Sequence, residues 1–411
     1  MSAQEAESVE AFRARAARWI EHNLPRWDDE HVDTGDLQRV MSDDGFAGIA
    51  FPRAYGGAGL TLEHQQAFFD EAAAQDRQVP TSNRVSIGML GPTILDHGSD
   101  DAKLRFLPPL LRGETLWMQL LSEPQGGSDM AGAMTRLTRD GDTYVLHGSK
   151  MWSSGAHEAD FGLCLCRSDW DVPKHQGLSM IAVPLKDVPG ITIQQTRSAS
   201  GLTSDFCEEF FDNVVLPAEN LIGAENDGWA VAQTLLLHER NVVGNIGFGY
   251  LNGRRDRGPK RMFGGEPAMR SLAAARRRSS LDAVGATIVD TYIESVVAPL
   301  TSARVMTGLR VGPHEGQWGS LTKLQSTVAA QASVRTALAA WGADGVIWDG
   351  KEVRYDNVGT IWLESRGGTI SGGTNEMQRN IIAERLLGLP REPAPDRDIP
   401  FSEALRNARR H

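Results

Sequence analysis

The chain has 411 residues, more than one hydrophobic core usually supports, and its composition, 41% hydrophobic and 23% charged, is typical of a folded protein with two or three packed domains. Its 42 basic and 53 acidic residues give a net charge of -11, which disfavours nucleic-acid binding but permits a local basic patch for a polyanionic small ligand. The three cysteines, Cys164, Cys166 and Cys207, lack the spacing of zinc ligands, so we expect reduced thiols and no metal site.

The beginning of the sequence predicts a cytoplasmic location. Residues 1–10 are acidic and lack the basic-then-apolar order of a signal peptide. We also expect no apolar run long enough to cross a bilayer, and hence no membrane partner. A low cysteine count is typical of a reducing compartment.

Residues 1–118 predict an N-terminal α-helical domain. Apolar side chains recur at helical spacing from Val9 to Ile20, and a second such segment runs from Leu62 to Ala74. A third candidate helix covers Arg105 to Leu111. The glycine-rich stretch Phe51–Leu60 is typical of a turn between helices.

Residues 119–224 predict a central β domain, because short apolar runs alternate there with turn residues. Two such runs, Gly162–Cys166 and Leu178–Val183, have the length and composition of strands. The resulting fold class is mixed α and β, mostly α, with helices on both sides of the β domain in sequence.

Residues 225–391 predict a C-terminal helical domain, since helical periodicity resumes at Trp229 and continues to Leu387. The Arg- and Gly-rich stretch Gly253–Ser280 is interpreted as an exposed connection. Residues 392–411 carry proline and charge, which predicts a surface tail.

Three segments have the composition of a ligand site. Leu121–Asp129 offers hydroxyls and backbone N–H groups for a polar ring edge or a phosphate, although a plain Pro-Gly turn has the same composition. Lys150–Ala156 places an indole beside two hydroxyls, which suits a flat aromatic cofactor, although a tryptophan that ends a strand is often in the core. Ile370–Asn380 has two glycines before a helix, typical of an anion site or of a simple hinge.

In this order and at these separations the three segments resemble the acyl-CoA dehydrogenase family, over about residues 10 to 391. The run Leu216–Gly223 and the closing run Ile381–Gly388 agree with that family. The resemblance implies a helical domain, a β-barrel-like domain and a C-terminal four-helix bundle. It also implies an acyl-CoA substrate, FAD bound between the last two domains, and an electron-transfer flavoprotein or similar acceptor as partner.

The resemblance implies roles for individual residues. Toward the flavin ring it places the backbone of Leu121, the side chain of Ser122, and Trp152 and Ser154. Toward the ADP part of FAD it places Thr374 and Glu376. Toward the CoA substrate it places Ser128 and Arg240.

The sequence departs from the common family pattern at the catalytic base. Many members carry a glutamate at the loop position that is Gly372 here, and a minority carry it on the first long helix of the bundle. That helix position is Glu239, which we interpret as the general base rather than a solvated residue beside Arg240. The Gly372 N–H remains available to bind a thioester oxygen.

A second departure concerns elements that family members lend to a neighbouring subunit's FAD. The usual arginine and glutamine there correspond to Lys260 and Ala339. We therefore expect a tetramer and leave open whether it is homomeric or mixed. In its Gly372 loop and its helix glutamate the chain most closely resembles actinobacterial dehydrogenases of sterol side-chain breakdown, several of which are mixed tetramers.

The predicted reaction is FAD-dependent α,β-dehydrogenation of an acyl-CoA thioester to the trans-2-enoyl-CoA. Glu239 would remove the α-proton while hydride passes to flavin N5. Two alternatives remain open: a partner subunit of a mixed tetramer with little activity alone, and a flavin oxidase or monooxygenase on the same fold.

Overall fold

The computed structural model describes residues 7–26, 34–80, 85–201, 203–243, 265–277, 281–312, 317–347, 358–394 and 396–408. Contacts divide the chain into two units. Unit 1 comprises Met1–Thr196, Asp205–Arg255 and Pro393–His411, and unit 2 comprises Arg197–Ser204 and Asp256–Glu392.

The described residues of unit 1 begin with five α-helices: α1 (Val9–Asn23), α2 (Thr34–Asp43), α3 (Leu62–Ala74), α4 (Gly91–His97) and α5 (Asp100–Leu111). The hydroxyl of Ser8 accepts a hydrogen bond from the Ala11 N–H and so caps α1. Phe12, Ala16 and Ile20 are fully buried at four-residue spacing along the same helix. The amphipathic first helix predicted from the sequence is confirmed, and its apolar face forms part of the core.

The β part has eight strands: β1 (Trp117–Leu120), β2 (Arg136–Asp140), β3 (Thr143–Ser154), β4 (Phe161–Arg167), β5 (Leu178–Pro184), β6 (Ile191–Arg197), β7 (Thr203–Pro217) and β8 (Leu221–Ile222). They form one sheet in the order β6-β7-β3-β2-β4-β5-β8, and β1 pairs parallel with β4. The strands predicted at 162–166 and 178–183 are therefore confirmed as β4 and β5.

The two faces of the sheet are buried in two different cores. Leu163 and Leu165 of β4 belong to the core shared with the N-terminal helices. Cys164 and Cys166 point the other way, into a core formed within the β part. Successive side chains of a strand alternate between faces, so β4 is apolar throughout. This double burial fixes the position of β1 and of the loop that follows it.

Helix α6 (Gly228–Val243) follows the sheet and belongs to unit 1. It packs against β5 and α4, and its residues Val231 and Leu235 are fully buried in the core of the N-terminal helices. The sequence groups this helix with the bundle that follows residue 225, and that domain boundary stays a prediction.

Unit 2 contains α7 (Gly265–Arg277), α8 (Leu281–Val311), α9 (Gly319–Trp341), α10 (Val358–Gly368) and α11 (Asn375–Ile381). Helix α9 packs against the other four. The succession of helices, sheet and helices confirms the predicted fold class. It corrects one detail, because residues 265–277 were expected in an exposed connection but form α7, with Ala274 and Ala275 fully buried. The arginines that gave this stretch its polar character, Arg270, Arg276 and Arg277, lie on the exposed side.

Helix α8 corrects a second expectation. Its segment Leu281–Val305 is long and apolar enough, by length and composition alone, to cross a membrane, and 28% of its apolar window is buried. A core helix of a soluble protein passes the same test. The apolar side chains on its exposed surface are Val289, Tyr292, Ile293, Val296, Val297 and Leu300.

The last helix, α12 (Phe401–Ala408), lies in the segment predicted as a surface tail. The Phe401 N–H donates to the Val172 carbonyl at 2.9 Å, and the Ser402 N–H donates to the Trp170 carbonyl at 2.8 Å. The Phe401 ring is buried, with the Arg167 guanidinium 4.1 Å from its centroid. The C-terminal segment is thus anchored on the β part through α12.

Candidate active site

A buried ion pair holds the loop that follows β1. The Lys150 ammonium lies 2.7 Å from Glu123 Oε1, and these side chains are 0% and 3% exposed. Lys150 also donates to the Leu121 carbonyl at 3.0 Å. The Glu123 carboxylate accepts three further bonds, from the N–H groups of Met134 (2.6 Å) and Thr135 (3.0 Å) and from the side-chain amide of Gln125 (2.5 Å). The pair therefore joins the loop, β3 and the segment that enters β2.

The charge state of Glu123 follows from these contacts. Burial by itself raises the pKa of the Glu123 carboxyl, but the charge and hydrogen bond of Lys150 and the donors from Met134 and Thr135 outweigh it, so the pKa lies below its usual value. The Glu123 carboxyl is therefore ionised at neutral pH.

The first two predicted segments lie side by side. The Met151 N–H donates to the Ser122 carbonyl at 3.0 Å. Leu121 is buried and Ser122 is half-buried, whereas Ser128 lies further along the loop and is exposed. The structure thus brings Leu121 and Ser122 to the strand that carries Trp152 and Ser154.

Trp152 stands at an irregularity of β3. Met151 is opposite Glu208 of β7 and Ser153 is opposite Cys207, so Trp152 is the extra residue of a bulge. Its φ is 67°, a left-handed backbone conformation that residues other than glycine rarely adopt. The indole is 55% exposed, although it touches Phe206 edge-on at a centroid distance of 6.0 Å. The backbone thus carries strain while it presents a large apolar ring.

The bulge also separates the neighbouring serines. Ser154 is exposed like Trp152, whereas Ser153 is buried and donates to Glu209 Oε2 at 3.1 Å. Glu209 is fully buried, and its Oε1 has no hydrogen-bond partner among the described residues. Burial raises the pKa of the Glu209 carboxyl to about 7, although the Ser153 bond and the charge of Lys150 act in the opposite direction.

The sequence reasoning missed Glu209. The available signal was alternation in β7, where Cys207 and Phe211 are buried and Phe210 is exposed. A period of two places Glu209 on the buried face between Cys207 and Phe211. A charged residue at an inward position is a candidate for a shifted pKa.

The exposed end of the loop contacts a second buried cation. Arg167 donates to the Ala133 carbonyl at 3.3 Å, to the Ala131 carbonyl at 2.5 Å and to the Lys174 carbonyl at 2.6 Å. Asp129, next to Ser128, pairs with the Lys174 ammonium at 3.2 Å. Burial lowers the pKa of Arg167 to about 10, which keeps the guanidinium charged.

Glu239 lies on α6 one turn beyond the buried Leu235 and two turns beyond the buried Val231. Residues four apart share a helix face, so Glu239 continues the inward face and is half-buried. On the preceding turn, His97 Nε2 and the Thr234 hydroxyl are 2.8 Å apart. Arg240 follows in the same helix.

In unit 2, the loop before α11 adopts the conformation that its glycines allow. Gly372 and Gly373 have φ values of 63° and 82°. Gln378 donates from Nε2 to the Gly372 carbonyl at 2.8 Å, and a Cβ at Gly373 would lie 2.7 Å from that nitrogen. The hydroxyl of Thr374 caps α11 by accepting from the Met377 N–H. The Gly372 N–H donates to no other described residue.

Next to this loop is a polar group formed by α9 and α11. Lys323 and the Thr327 hydroxyl donate to the buried Asn375 Oδ1, at 3.1 and 2.8 Å. Burial lowers the pKa of Lys323, and the charge of Glu376 opposes that shift. Glu376 itself is exposed and pairs with Arg379 at 3.3 Å. Thr374 and Glu376, the residues expected toward ADP, thus begin the same short helix.

The structure describes one of the two residues, Lys260 and Ala339, at which the sequence departs from the elements that family members lend to a neighbouring subunit's FAD. Ala339 is an exposed residue of α9. Lys260 lies outside the described residues. Within the described part of the chain, no group of three or more His, Cys, Asp or Glu side chains is arranged to hold a metal ion.

The residues of unit 1 fit a flat aromatic ring with a polar edge. Trp152 presents an apolar face beside the Ser154 hydroxyl, and the neighbouring loop contributes the Ser122 N–H, which has no hydrogen-bond partner among the described residues. An isoalloxazine ring has these two requirements, an apolar face and hydrogen-bonding atoms along its edge. The fold, with helices, a sheet and further helices in order, and this surface together have the features expected of a flavin-binding oxidoreductase.

Comparison with known families narrows the class. Three models match in order: the N-terminal domain of acyl-CoA dehydrogenase over residues 2–114, its middle domain over 119–214, and its C-terminal domain over 264–387. The chain belongs to the acyl-CoA dehydrogenase family, whose members are flavoprotein oxidoreductases of fatty acid and steroid degradation.

Individual relatives and solved structures agree with this family assignment. The chain is 32% identical over 406 residues to acyl-CoA dehydrogenase IpdE1 of Mycobacterium tuberculosis, covering 94% of this chain and 99% of the relative. It is 35% identical over 356 residues to acyl-CoA dehydrogenase FadE34 of the same organism, covering 86% of this chain and 46% of the relative. Among solved structures, the Tcur3481-Tcur3483 steroid ACAD is 26% identical with a TM-score of 0.67, covering 95% of this chain and 100% of that chain.

Proposed function

We propose that this chain binds FAD and dehydrogenates an acyl-CoA thioester to the trans-2-enoyl-CoA with Glu239 as general base. The observation that carries the proposal is the position of Glu239 on the inward face of α6, half-buried one turn beyond Leu235. Gly372, at the loop position where many family members carry the base, has no side chain to perform this role.

Two groups of the chain itself, the Glu239 carboxylate and the Gly372 N–H, take part in the proposed reaction. The Glu239 carboxylate takes the proton from the α-carbon, and the electrons of that C–H bond form the new double bond as hydride leaves the β-carbon. FAD, when bound, supplies the hydride acceptor at N5. The Gly372 N–H donates to the thioester oxygen, which gains negative charge as the proton leaves.

The binding roles follow the family resemblance. The Leu121 backbone, Ser122, Trp152 and Ser154 would hold the flavin ring. Thr374 and Glu376 would contact its ADP part, and Ser128 and Arg240 would contact the CoA substrate. The support from unit 1 is the surface on which Trp152 is exposed beside Ser154 and Ser122.

For the acyl group we propose a branched or ring-bearing chain, as in a steroid side chain. Gly372 leaves space at the α-carbon, and one structural neighbour is named a steroid ACAD. The test is a panel of acyl-CoA thioesters, assayed anaerobically with an artificial electron acceptor. Enoyl-CoA formation from at least one thioester supports the function. Rapid release of hydrogen peroxide in air would instead support an oxidase.

A mixed assembly is the second candidate. Another structural neighbour is the ChsE4-ChsE5 complex from Mycobacterium tuberculosis, 25% identical with a TM-score of 0.64 and covering 95% of this chain and 100% of that chain. Replacement of the family's arginine and glutamine by Lys260 and Ala339 favours a partner chain that completes the FAD site. Native mass spectrometry decides, and a homotetramer with four tightly bound FAD molecules would exclude the mixed assembly. We further propose an electron-transfer flavoprotein or similar acceptor and a cytoplasmic location.

A further inference from the structure

The peptide between Leu121 and Ser122 has a fixed direction. Its carbonyl accepts a bond from the Lys150 ammonium at 3.0 Å, inside the protein. The structure contains no cis peptide bond among the residues it describes, and in a planar trans peptide the N–H points opposite to the C=O. The Ser122 N–H therefore points away from Lys150.

The next peptide is fixed as well, because the Ser122 carbonyl accepts from the Met151 N–H at 3.0 Å. Ser122 is half-buried, and its own N–H has no acceptor among the described residues. Most backbone N–H groups that are shielded from water are paired with protein, water or ligand. An N–H held in one direction without a protein acceptor is suited to a ligand.

Stability alone does not explain why this ion pair is buried. A buried ion pair is usually no more stabilising than well-packed apolar side chains of the same size, because both charges lose their water. Lys150 and Glu123 nevertheless lie inside the protein, and besides the Gln125 amide their other hydrogen-bond partners are backbone groups, those of Leu121, Met134 and Thr135. These bonds fix the path of the loop.

We propose that Lys150 and Glu123 are positioning residues that direct the Ser122 N–H at the polar edge of the flavin ring. This inference rests on the proposed function. A donor at that edge stabilises the electron-rich reduced ring more than the oxidised ring. The pair therefore makes the protein bind reduced flavin more tightly, relative to oxidised flavin, than the loop would without it.

The test uses the full-length protein with the substitution Lys150→Met, which keeps the length of the side chain and removes the donor to Leu121. Glu123 retains its donors from Met134 and Thr135 in this variant. We expect the affinity ratio for reduced over oxidised FAD to fall at least tenfold. For a two-electron couple that is about 30 mV of reduction potential, measured by anaerobic dye-linked titration.

The matched control is Arg167→Met. Arg167 is an equally buried cation that donates to the backbone carbonyls of Ala131 and Ala133, but it does not contact the Leu121–Ser122 peptide. We expect a similar loss of thermal stability and a potential within about 10 mV of wild type, equivalent to roughly a twofold change in the ratio. An equal shift in both variants would overturn the inference.

If Lys150→Met does not fold, Glu123→Gln tests the same inference, because it weakens the ion pair that holds the Lys150 ammonium in place. This variant should lower the affinity ratio for reduced over oxidised FAD by at least about threefold. A folded variant of either kind that binds FAD with an unchanged ratio overturns the inference and leaves the proposed function intact. Failure of the wild-type apoprotein to bind FAD overturns both.

Discussion

The hydroxyl of Ser153 in β3 donates a 3.1 Å hydrogen bond to the carboxyl group of Glu209. Glu209 lies on the paired strand β7 and is completely buried. Ser153 is the residue after Trp152, so this acid lies directly behind the strand that is proposed to hold the flavin. The second carboxyl oxygen of Glu209 has no hydrogen-bond partner among the described residues.

The Glu209→Gln substitution should change the pH dependence of stability. Burial raises the pKa of Glu209 from 4.5 to about 7, so the native protein retains a proton that the unfolded chain releases. The stabilisation of the native state by this retained proton is fully present below pH 4.5 and is lost as the pH rises through 7. We expect the variant to gain up to about 3 kcal/mol relative to wild type at pH 8.5, and little at pH 4.5. Urea unfolding at both pH values measures the difference, and equal differences would contradict the assignment.

Two substitutions of Trp152 separate its backbone from its side chain. Trp152→Gly and Trp152→Ala both remove the indole, but only glycine adopts a φ of 67° without strain. We expect the glycine variant to be more stable than the alanine variant by about 1 kcal/mol in chemical unfolding. FAD affinity should fall equally in both. Equal stability of the two variants would show that the bulge relaxes when the indole is absent.

Phe401 should contribute to stability and to substrate binding. Phe401→Ala removes a buried ring from the Arg167 guanidinium, and truncation of a buried phenylalanine typically costs about 3–5 kcal/mol. Because Arg167 also holds Ala131 and Ala133 beside the Ser128 loop, KM for acyl-CoA should rise more than kcat falls. Phe210→Ala, at an exposed position, is the control and should change neither property. An unchanged KM would separate α12 from the substrate loop.

The exposed apolar face of α8 should be covered in an oligomer. Ile293, Val296, Val297 and Leu300 recur at the spacing of one helix face. We expect Leu300→Glu to reduce assembly from a tetramer to smaller species in native mass spectrometry. Leu62→Glu is matched in exposure, 63% against 64%, and lies on α3 of unit 1. The idea fails if Leu300→Glu assembles like wild type, or if Leu62→Glu dissociates to the same extent.

The sequence predicted those parts of the fold that depend on local periodicity. The apolar spacing from Val9 to Ile20 and the strand runs at 162–166 and 178–183 are such signals, and each is confirmed. The failure at α7 has a physical cause. Its arginines lie on an exposed face, so the composition of the stretch Gly265–Arg277 resembles that of a loop although alanines on the other face are buried.

The site was predictable only in part. The adjacency of Ser122 and Trp152 followed from recognising an ordered set of motifs. The pairing of Lys150 with Glu123 and of Ser153 with Glu209 depends on the registers of β3 and its neighbours. A sequence gives no direct measure of register, and one residue of slip moves every side chain to the opposite face. The bulge at Trp152 is a slip of this kind.

Glu239→Gln tests the proposed general base. Glutamine keeps the size and hydrogen-bonding ability of the side chain but has no basicity, and loss of a general base typically lowers a rate by about 10²–10⁴. FAD content and the spectral change on substrate binding should stay near wild type. Glu225→Gln, which alters a glutamate near the start of α6 that bonds the Tyr144 hydroxyl, is the control and should reduce flavin at the normal rate.

The decisive measurement is the anaerobic rate of flavin reduction by an acyl-CoA substrate, followed by stopped-flow absorbance in wild type and in Glu239→Gln. The proposed mechanism predicts a rate at least about a hundredfold lower in the variant, at equal FAD occupancy and substrate saturation. Flavin reduction at close to the wild-type rate would contradict it and assign the α-proton to another residue or another chain.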